Sequence, residues 1–403
     1  MRDVGRLPLE GVTVIDCGQV IAGPTAAMHL GDFGAEVIKV ENPVGGDQVR
    51  FFGKEKDGVS LFSKLLSRNK KSITLNLRHP EGQDLLCRLI EETKADVLVE
   101  SFRPGTLERW NLGYDRLSAI RPELILVRLS GFGQTGPYRN RPGFGTLAEA
   151  MSGFAHITGE ADGPPTLPQF PLADSVAALH AAMGVMIALY EREVNGSGRG
   201  QVLDVSLLEP LFSMLGIYVV EYDQLGLIAR RQGNRTASAP RNTYRTKDGR
   251  WVAIAASMQS IAERAFAAIG RPTLLEDPRF ATNRARLANV EEVDAIVGAW
   301  VAERTLAEVI EIMMAAQVAV APVLHAGDLA EDPHLVERGA VVSIDDDELG
   351  AVRMPDVQPR LTRTPGRIRS AGPPQGSSTE EILGARLGLS AEELADLRER
   401  GVI

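Results

Sequence analysis

Short apolar runs alternate with helix-like stretches over the first half of the chain. Each run is apolar on both faces, which is typical of strands buried between helices in a mostly parallel sheet. Between the runs, Pro80 stands at a favoured first helical position, so we predict a helix from there through residue 94. The six predicted strands are VTVID (12–16), EVIKVE (36–41), SITLNL (72–77), DVLVES (96–101), ELILVRLSG (123–131) and QVLDVS (201–206). This pattern predicts an α/β fold with a doubly wound sheet.

The second half of the chain differs from the first in its predicted elements. Residues 207–226 are apolar and aromatic at many positions and predict one long connecting helix. A polar, turn-rich segment follows at 230–244, and Asp248-Gly249 predicts a hairpin. Three predicted helices then complete a smaller α+β domain over about 232–325. Two strands, a linker rich in Pro and Gly (365–376) and a last helix capped at Ser390 end the chain.

The longest helical pattern begins at Pro171. Val176, Leu179, Met183, Met186 and Tyr190 follow spacings of three and four and predict one apolar stripe, and the other face is nearly as apolar. We therefore expect this helix to be buried on most sides.

Asp174 lies in the first turn of that helix, where unpaired amides and the helix dipole favour a negative charge. An ionised carboxylate suits a nucleophile that attacks an acyl thioester. The alternative is an ordinary helix cap, for which Asp is a preferred residue.

Composition narrows the class of protein. The 403 residues are 44% hydrophobic and 24% charged, and the net charge of −9 argues against a general nucleic-acid-binding protein. The two cysteines, Cys17 and Cys87, have no metal-binding spacing. The N-terminus does not resemble a signal peptide, and the apolar run from Val176 to Tyr190 is shorter than the ~20 residues of a membrane span. These features predict a cytoplasmic protein that binds neither nucleic acid nor membrane.

The segments after the predicted strands are rich in Gly, Pro and Arg. Ligands bind at the carboxyl ends of the strands in such sheets, and arginine suits phosphate. The four segments are CGQVIAGP (17–24), NPVGGD (42–47), SFRPGTLER (101–109) and GFGQTGPYRNRPGFG (131–145). Gly131, Gly133 and Gly136 spell a dinucleotide-binding fingerprint, but Pro137 follows where a helix should begin, which disfavours a nicotinamide-dependent oxidoreductase.

Seven long segments, in order, resemble the class III CoA-transferases (the CaiB/BaiF family), which include formyl-CoA transferase and carnitine CoA-transferase. They are PLEGVTVIDCGQVIAGP, LGDFGAEVIKVENPVGGD, SRNKKSITLNLRHPEG, ADVLVESFRPGTLERWNLGY, SGFGQTGPYRNRPGF, LADSVAALHAAMGVMIALYERE and GSGRGQVLDVSLLEP. The resemblance implies two subunits threaded as interlocked rings in a homodimer. It also implies residues 1–205 as the first part of a large Rossmann-like domain, 206–231 as a connector helix, 232–325 as the small domain and 326–403 as linker and return.

The resemblance also implies a site. Asp174 matches the family nucleophile, which forms a mixed anhydride and then an aspartyl-CoA thioester, with CoA thioesters as substrates and no permanently bound cofactor or metal. Contacts with CoA are expected from Ile21, Ala22, Asn42, Leu75, Leu77, Arg78, Ser101, Phe102, Arg103, Arg109, Pro142, Gly143, Phe144 and Gly145.

The acids exchanged are less defined. Gln19, Arg235 and Arg241 are candidate contacts to them, and the two arginines suit the far carboxylate of a dicarboxylic acid such as succinate. An α-methylacyl-CoA racemase of the same superfamily is the alternative, but this chain has Phe144 where those enzymes carry a proton-abstracting His. A further functional hypothesis is a protein that binds CoA without catalysing a reaction.

Overall fold

The computed structural model describes residues 6–403, which form two compact units. Unit 1 comprises residues up to Ala155, Leu167–Leu227 and Arg338–Ile403. Unit 2 comprises His156–Thr166 and Ile228–Glu337, and the predicted small domain falls inside its second segment.

Unit 1 is built on a six-stranded sheet with every neighbouring pair parallel. Its order is β5-β2-β1-β6-β7-β8, so the strand order reverses between β1 and β6. The strands are β1 Thr13–Cys17, β2 Glu36–Glu41, β5 Lys70–Thr74, β6 Val97–Glu100, β7 Ile125–Ser130 and β8 Val202–Ser206, with the short pair β3 Glu55–Lys56 and β4 Val59–Ser60 between β2 and β5. The predicted doubly wound parallel sheet is confirmed. The third strand, however, ends at Thr74, so Leu75 and Leu77 lie beyond it.

Helices cover both faces of this sheet. Alternate strand residues enter two cores: Ile15 packs with α3 and the C-terminal segment, whereas Val14 packs with α1 and α8. The α-helices before the second segment of unit 2 are α1 Ala22–Asp32, α2 Leu61–Leu66, α3 Pro80–Glu92, α4 Thr106–Arg109, α5 Tyr114–Ile120, α6 Gly145–Met151, α7 Phe154–Ile157, α8 Leu172–Glu193, α9 Leu208–Met214 and α10 Gly216–Leu225. Pro80 occupies the first helical turn of α3, as predicted.

Two expectations about the helices are wrong. The predicted connector is broken into α9 and α10 around Leu215. The buried face of α8 is its small-residue face, which includes Ala177, Ala181 and Val185, while the larger apolar side chains of the predicted stripe point outward. Close packing against the sheet selects small side chains, because they allow the helix backbone to approach.

The C-terminal segment returns to unit 1 and covers the β5 edge of the sheet. The Ser378 amide donates to the Ser72 carbonyl at 2.8 Å, and the Asn76 amide donates to the Val402 carbonyl at 2.8 Å. The segment contains β12 Val341–Asp346, β13 Gly350–Pro355, a π-helix at Glu380–Arg386 and α17 Ala391–Glu399. The predicted cap of the last helix is confirmed as a capping box between Ser390 and Glu393.

Unit 2 carries a three-stranded antiparallel sheet in the order β11-β10-β9. The predicted hairpin at Asp248-Gly249 joins its first two strands. The elements are β9 Arg241–Arg245, β10 Trp251–Ala255, α11 Gln259–Ala268, α12 Asn283–Ala288, α13 Val290–Ala302, α14 Leu306–Ala315, β11 Ala319–Pro322, α15 Ala326–Glu331 and α16 Pro333–Glu337, and short 3-10 helices lie at Gln48–Phe51 in unit 1 and Pro272–Glu276 in unit 2.

Among residues 6–403, α8 is the one helix whose length and composition would allow a membrane span, because it has 22 residues and a mean hydropathy of 1.7 over its most apolar window. It is longer than the apolar run considered from the sequence. Its small-residue face packs in the core of unit 1, and core helices of soluble proteins have the same length and composition.

Candidate active site

A cavity of about 710 Å³ opens at the carboxyl ends of the central strands of unit 1. The segments that follow β1, β6 and β7 line it, and all of its lining residues belong to unit 1. The reversal of strand order between β1 and β6 leaves a crevice at this edge, because the connections on either side turn toward opposite faces. The cavity therefore lies where an open α/β sheet places its ligand.

Asp174 lines this cavity from the first turn of α8. The residue before the helix, Pro171, provides no side-chain cap. Glu149 of α6 supplies one instead: its buried carboxylate accepts a hydrogen bond from the Ala173 amide at 3.2 Å. Because Ala173 immediately precedes Asp174, this bond fixes the turn that carries the carboxylate.

Gly145, at the start of α6, lies directly against the Asp174 carboxylate. A Cβ atom added at Gly145 would be 2.0 Å from Asp174 Oδ2, well inside van der Waals contact. The absence of a side chain thus lets a backbone approach the candidate nucleophile. The amides of Gly145 and Thr146 precede the first backbone bond of α6, which Leu147 donates to Phe144.

The pKa of Asp174 is raised to about 6, first by burial and then by the charge of Glu149. The sequence had drawn attention to the helix N-terminus, whereas the structure adds burial and a neighbouring carboxylate, both of which raise this pKa. With a pKa of about 6, roughly nine-tenths of the carboxyl groups are ionised at pH 7. The side chain remains a competent nucleophile at neutral pH and loses that form as the pH falls through 6.

Glu149→Gln is expected to shift the acidic limb of the rate profile to lower pH. The amide oxygen keeps the bond to Ala173 but removes the neighbouring negative charge, so the pKa of Asp174 falls. The profile of kcat/KM against pH, fitted for wild type and variant, measures the shift. Glu149→Ala is the control, because it also removes the cap and should lower the plateau. An acidic limb that does not move in Glu149→Gln would show that Glu149 does not influence Asp174.

A buried ion-pair network holds the loop between β1 and α1. Lys39 lies 2.7 Å from Asp47 and also donates to the Gly18 carbonyl, and both charged side chains are almost fully buried. Asp47 in turn accepts the Val20 amide at 2.8 Å, and Val20 has φ of 63°. This network accounts for Lys39 and Asp47 of VIKVENPVGGD, which fix a strained turn without lining the cavity.

The same loop is tied to the segment after β6. The Gln19 amide donates to Ser101 Oγ at 2.7 Å. Gly18 and Gly23 approach so closely that a Cβ on either would be 2.7 Å from the other's Cα. The ends of β1 and β6 are thereby joined across the switch point, and both segments face the cavity.

The cavity brings together most of the predicted site residues but not all. Those that line it are Gln19, Ile21, Ala22, Ser101, Phe102, Arg103, Pro142, Gly143, Phe144, Gly145 and Asp174. Those predicted to contact CoA that do not line it are Asn42, Leu75, Leu77, Arg78 and Arg109. Leu75 and Leu77 are buried in the core, so their side chains are committed to packing, and Arg109 donates to Thr106 Oγ1 at 2.8 Å. CoA contacts at these five positions stay predictions.

Arg235 and Arg241 belong to unit 2 and have partners there. Arg235 pairs with Asp294 at 2.8 Å, and Arg241 donates to the Asn234 carbonyl at 2.5 Å. Their predicted role as a carboxylate clamp is not tested by these contacts. Within the described chain, no three His, Cys, Asp or Glu side chains are grouped so that they could hold a metal ion.

Comparisons with known proteins identify the family of this chain. Residues 9–379 match the sequence profile of CoA-transferase family III. The chain belongs to this family. Two relatives from Chloroflexus aurantiacus, each 43% identical with 98% of both chains covered, are a succinyl-CoA:D-citramalate CoA-transferase and the β subunit of a succinyl-CoA:L-malate CoA-transferase. A solved CaiB/BaiF family protein from Brucella suis is similar in structure, with a TM-score of 0.85, 29% identity and coverage of 94% of this chain and all of that one.

The chain is thus a family III CoA-transferase, as the sequence predicted, and CoA thioesters are its substrates. Sequence reasoning missed several cavity residues in this transferase. Glu149 gave no signal, because a single acid in a short helical pattern looks like any solvated residue. Arg139 and Arg141 lie in the Arg-rich segment 131–145 that the sequence had singled out, and both line the cavity.

Proposed function

We propose that this transferase moves CoA from succinyl-CoA to a dicarboxylic acid acceptor through covalent intermediates on Asp174. The observation that carries the proposal is the Asp174 carboxylate at the wall of the cavity, with the backbone of Gly145 against it. The succinyl donor is taken from the names of the two Chloroflexus relatives. The acceptor differs between them, so we limit it to a class.

The reaction proceeds by acyl exchange at Asp174. A carboxylate oxygen attacks the thioester carbonyl, the C–S bond breaks, and CoA leaves as a thiolate while a mixed anhydride forms. The thiolate then attacks the aspartyl carbonyl, releasing succinate and leaving an aspartyl-CoA thioester. The acceptor carboxylate attacks this thioester, and the two steps run in reverse. No step needs a proton from a side chain.

The residues around Asp174 have distinct parts in this scheme. Each attack creates an oxyanion, and the Gly145 amide is our candidate donor to it, since it lies beside the carboxylate and precedes the first helical bond. Gln19 is a candidate contact for the acids. Ser101, Phe102 and Arg103 form the proposed path of the pantetheine and phosphates. CoA enters as substrate, and we propose that no cofactor is permanently bound.

Racemase chemistry is disfavoured by the same site. The racemases of this superfamily use a His/Asp pair, so proton abstraction at the α-carbon needs a second group besides Asp174 that titrates near neutral pH. Phe144 occupies the relevant position in the cavity and has no such group. His180 lies two turns along α8, and its Nδ1 is hydrogen-bonded to the Val176 carbonyl at 2.9 Å.

A panel assay tests the proposed reaction. Succinyl-CoA, acetyl-CoA and butyryl-CoA would each be mixed with citramalate, malate, glutarate and a monocarboxylate, and new CoA thioesters would be identified by mass spectrometry. Transfer from succinyl-CoA to at least one dicarboxylate supports the proposal. Exchange of the α-hydrogen with deuterium, without transfer, would instead indicate racemase activity.

We also propose that two copies form an interlocked homodimer. The outward side of α8 and much of α10 are apolar and exposed, which is unusual for a monomer. Leu179, Met183, Ile187 and Tyr190 of α8 are each more than half exposed, and α10 has no buried residue. A second subunit that covers these helices would remove this surface from water. We further propose that the enzyme is cytoplasmic and binds neither membrane nor nucleic acid.

Ile187→Arg is expected to disrupt this dimer, because a charge at the centre of a dehydrated interface has no partner. Light scattering should give about twice the 43.5 kDa chain mass for wild type and a smaller or aggregated species for the variant. Glu92→Arg, a charge change on the exposed end of α3, is the control and should remain dimeric. A monomeric wild-type protein would contradict the proposal.

A further inference from the structure

The segment between β7 and α6 forms a closed loop beside the cavity. The loop begins at Gly131 and ends at Gly143. A Cβ atom added at Gly131 would be 2.7 Å from the Gly143 Cα, so the backbones of the two glycines approach closely. This backbone contact pins the two ends together, so the intervening residues project as one compact surface loop. The Asp204 carboxylate of β8 holds the first part of this loop by accepting a hydrogen bond from the Gln134 amide at 2.9 Å.

The loop presents two arginines to the cavity. Arg139 and Arg141 both line it and are exposed, and neither guanidinium forms an ion pair with any residue in the described range 6–403. By contrast, Arg128 on the neighbouring strand is neutralised by Glu100 at 2.8 Å and Glu108 at 2.7 Å. The two loop arginines thus keep their charge and their N–H groups for a ligand.

Arg141 is also held in place by stacking. Its guanidinium carbon lies 3.6 Å from the centre of the Tyr138 ring, and Tyr138 packs edge-on against Phe132 with ring centres 6.0 Å apart. Stacking restrains the plane of the guanidinium while the edges of the fork remain available for hydrogen bonds. Such a fork matches the two oxygens of a carboxylate.

The chain places this charge close to Asp174. Arg141 is four residues before Gly145, so the Cα atoms of Arg141 and Gly145 are at most about 14 Å apart. Gly145 in turn lies against the Asp174 carboxylate. An arginine side chain that points into the same cavity can approach a short acyl chain attached at Asp174. Arg103, on the segment after β6, also lines the cavity and is the cation proposed above for the path of the CoA phosphates.

We propose that Arg139 and Arg141 bind the carboxylate at the far end of the dicarboxylic acyl group and so select dicarboxylic over monocarboxylic acids. This inference rests on the proposed function, because it requires a dicarboxylic substrate. It assigns to this loop the role that the sequence had suggested for Arg235 and Arg241. The same guanidinium chemistry would suit a phosphate of CoA, and the experiment must separate the two sources.

The test compares Arg139→Gln, Arg141→Gln and Arg141→Lys with wild type in the full-length enzyme. Steady-state kinetics give KM and kcat for glutarate with succinyl-CoA as donor, and calorimetry gives the Kd of free CoA. Each Gln variant is expected to raise the KM of glutarate about tenfold or more, as a charged hydrogen bond is lost, while the Kd of CoA stays within about twofold. Arg141→Lys should raise the KM of glutarate less than Arg141→Gln does, because lysine retains the positive charge.

Three results would overturn the inference. A Kd of free CoA that rises as much as the KM of glutarate would assign the arginines to the phosphates. An unchanged KM in both Gln variants would leave them without a role in substrate binding. A selective rise in the KM of glutarate in Arg235→Gln or Arg241→Gln, but not in the loop variants, would place the clamp in unit 2. If wild type transfers no CoA from succinyl-CoA to any dicarboxylate, the proposed function itself fails.

Discussion

Asp174→Asn is expected to lower kcat by about 10⁴-fold or more while the Kd of CoA changes less than about threefold. An amide has the shape of the carboxylate but cannot attack a thioester, and removal of a covalent nucleophile typically costs this much. The variant leaves the other cavity-lining residues unchanged, among them Ser101, Phe102 and Arg103, which we propose to bind CoA. Stopped-assay kinetics and calorimetry with free CoA measure the two quantities.

The covalent intermediate gives a second readout for the same change. Wild-type protein incubated with succinyl-CoA and quenched should carry a CoA or succinyl adduct on Asp174 that hydroxylamine removes. The Asn variant should carry none. Glu149→Gln is the matched control, since it changes the neighbouring carboxylate but leaves the nucleophile, and it should still form the adduct. An adduct mapped to another residue would refute the assignment of Asp174.

Gly145→Ala is expected to reduce kcat by about 10²-fold with little loss of folding stability. The new Cβ would lie 2.0 Å from Asp174 Oδ2, so the carboxylate must rotate or the turn must shift. A displacement of about 1 Å at a reacting group costs activity of this order. Steady-state kinetics measure the loss, and the midpoint of thermal unfolding reports whether the fold is retained.

A glycine elsewhere provides the control for this substitution. Gly216, the first residue of α10, has no heavy atom within 4 Å of an added Cβ, so Gly216→Ala tests a change at a helix start away from Asp174. It should retain near-normal kcat. Wild-type activity in Gly145→Ala would mean that the close approach of the α6 backbone has no bearing on the reaction.

Local patterns predicted much of the fold because each depends on neighbours along the chain. Apolar runs bounded by helix-period segments yielded the strands of the parallel sheet, and the Ser390–Glu393 capping box depends on residues three apart. Asp174 was found in the first turn of α8 for the same reason. The order of long motifs identified the family, which is a stronger signal than any single motif.

Other features depend on which distant segments meet, and local sequence does not encode that. Lys39 and Asp47 are buried because β2 is central and the loop after β1 folds over it. The outward stripe of α8 looked like a core face, because apolar periodicity shows which side avoids water but not whether the same chain or another subunit covers it.

The sequence by itself determined the α/β class, the family and the position of the candidate nucleophile, since each follows from local pattern or from a long series of motifs. Only the tertiary structure decided the environment of that nucleophile. It brought Glu149 and Gly145 of α6 against the start of α8, raised the pKa of Asp174 to about 6, and turned two loop arginines toward the same cavity. Burial and charge act through space, so their effect on one carboxylate depends on how the chain folds around it.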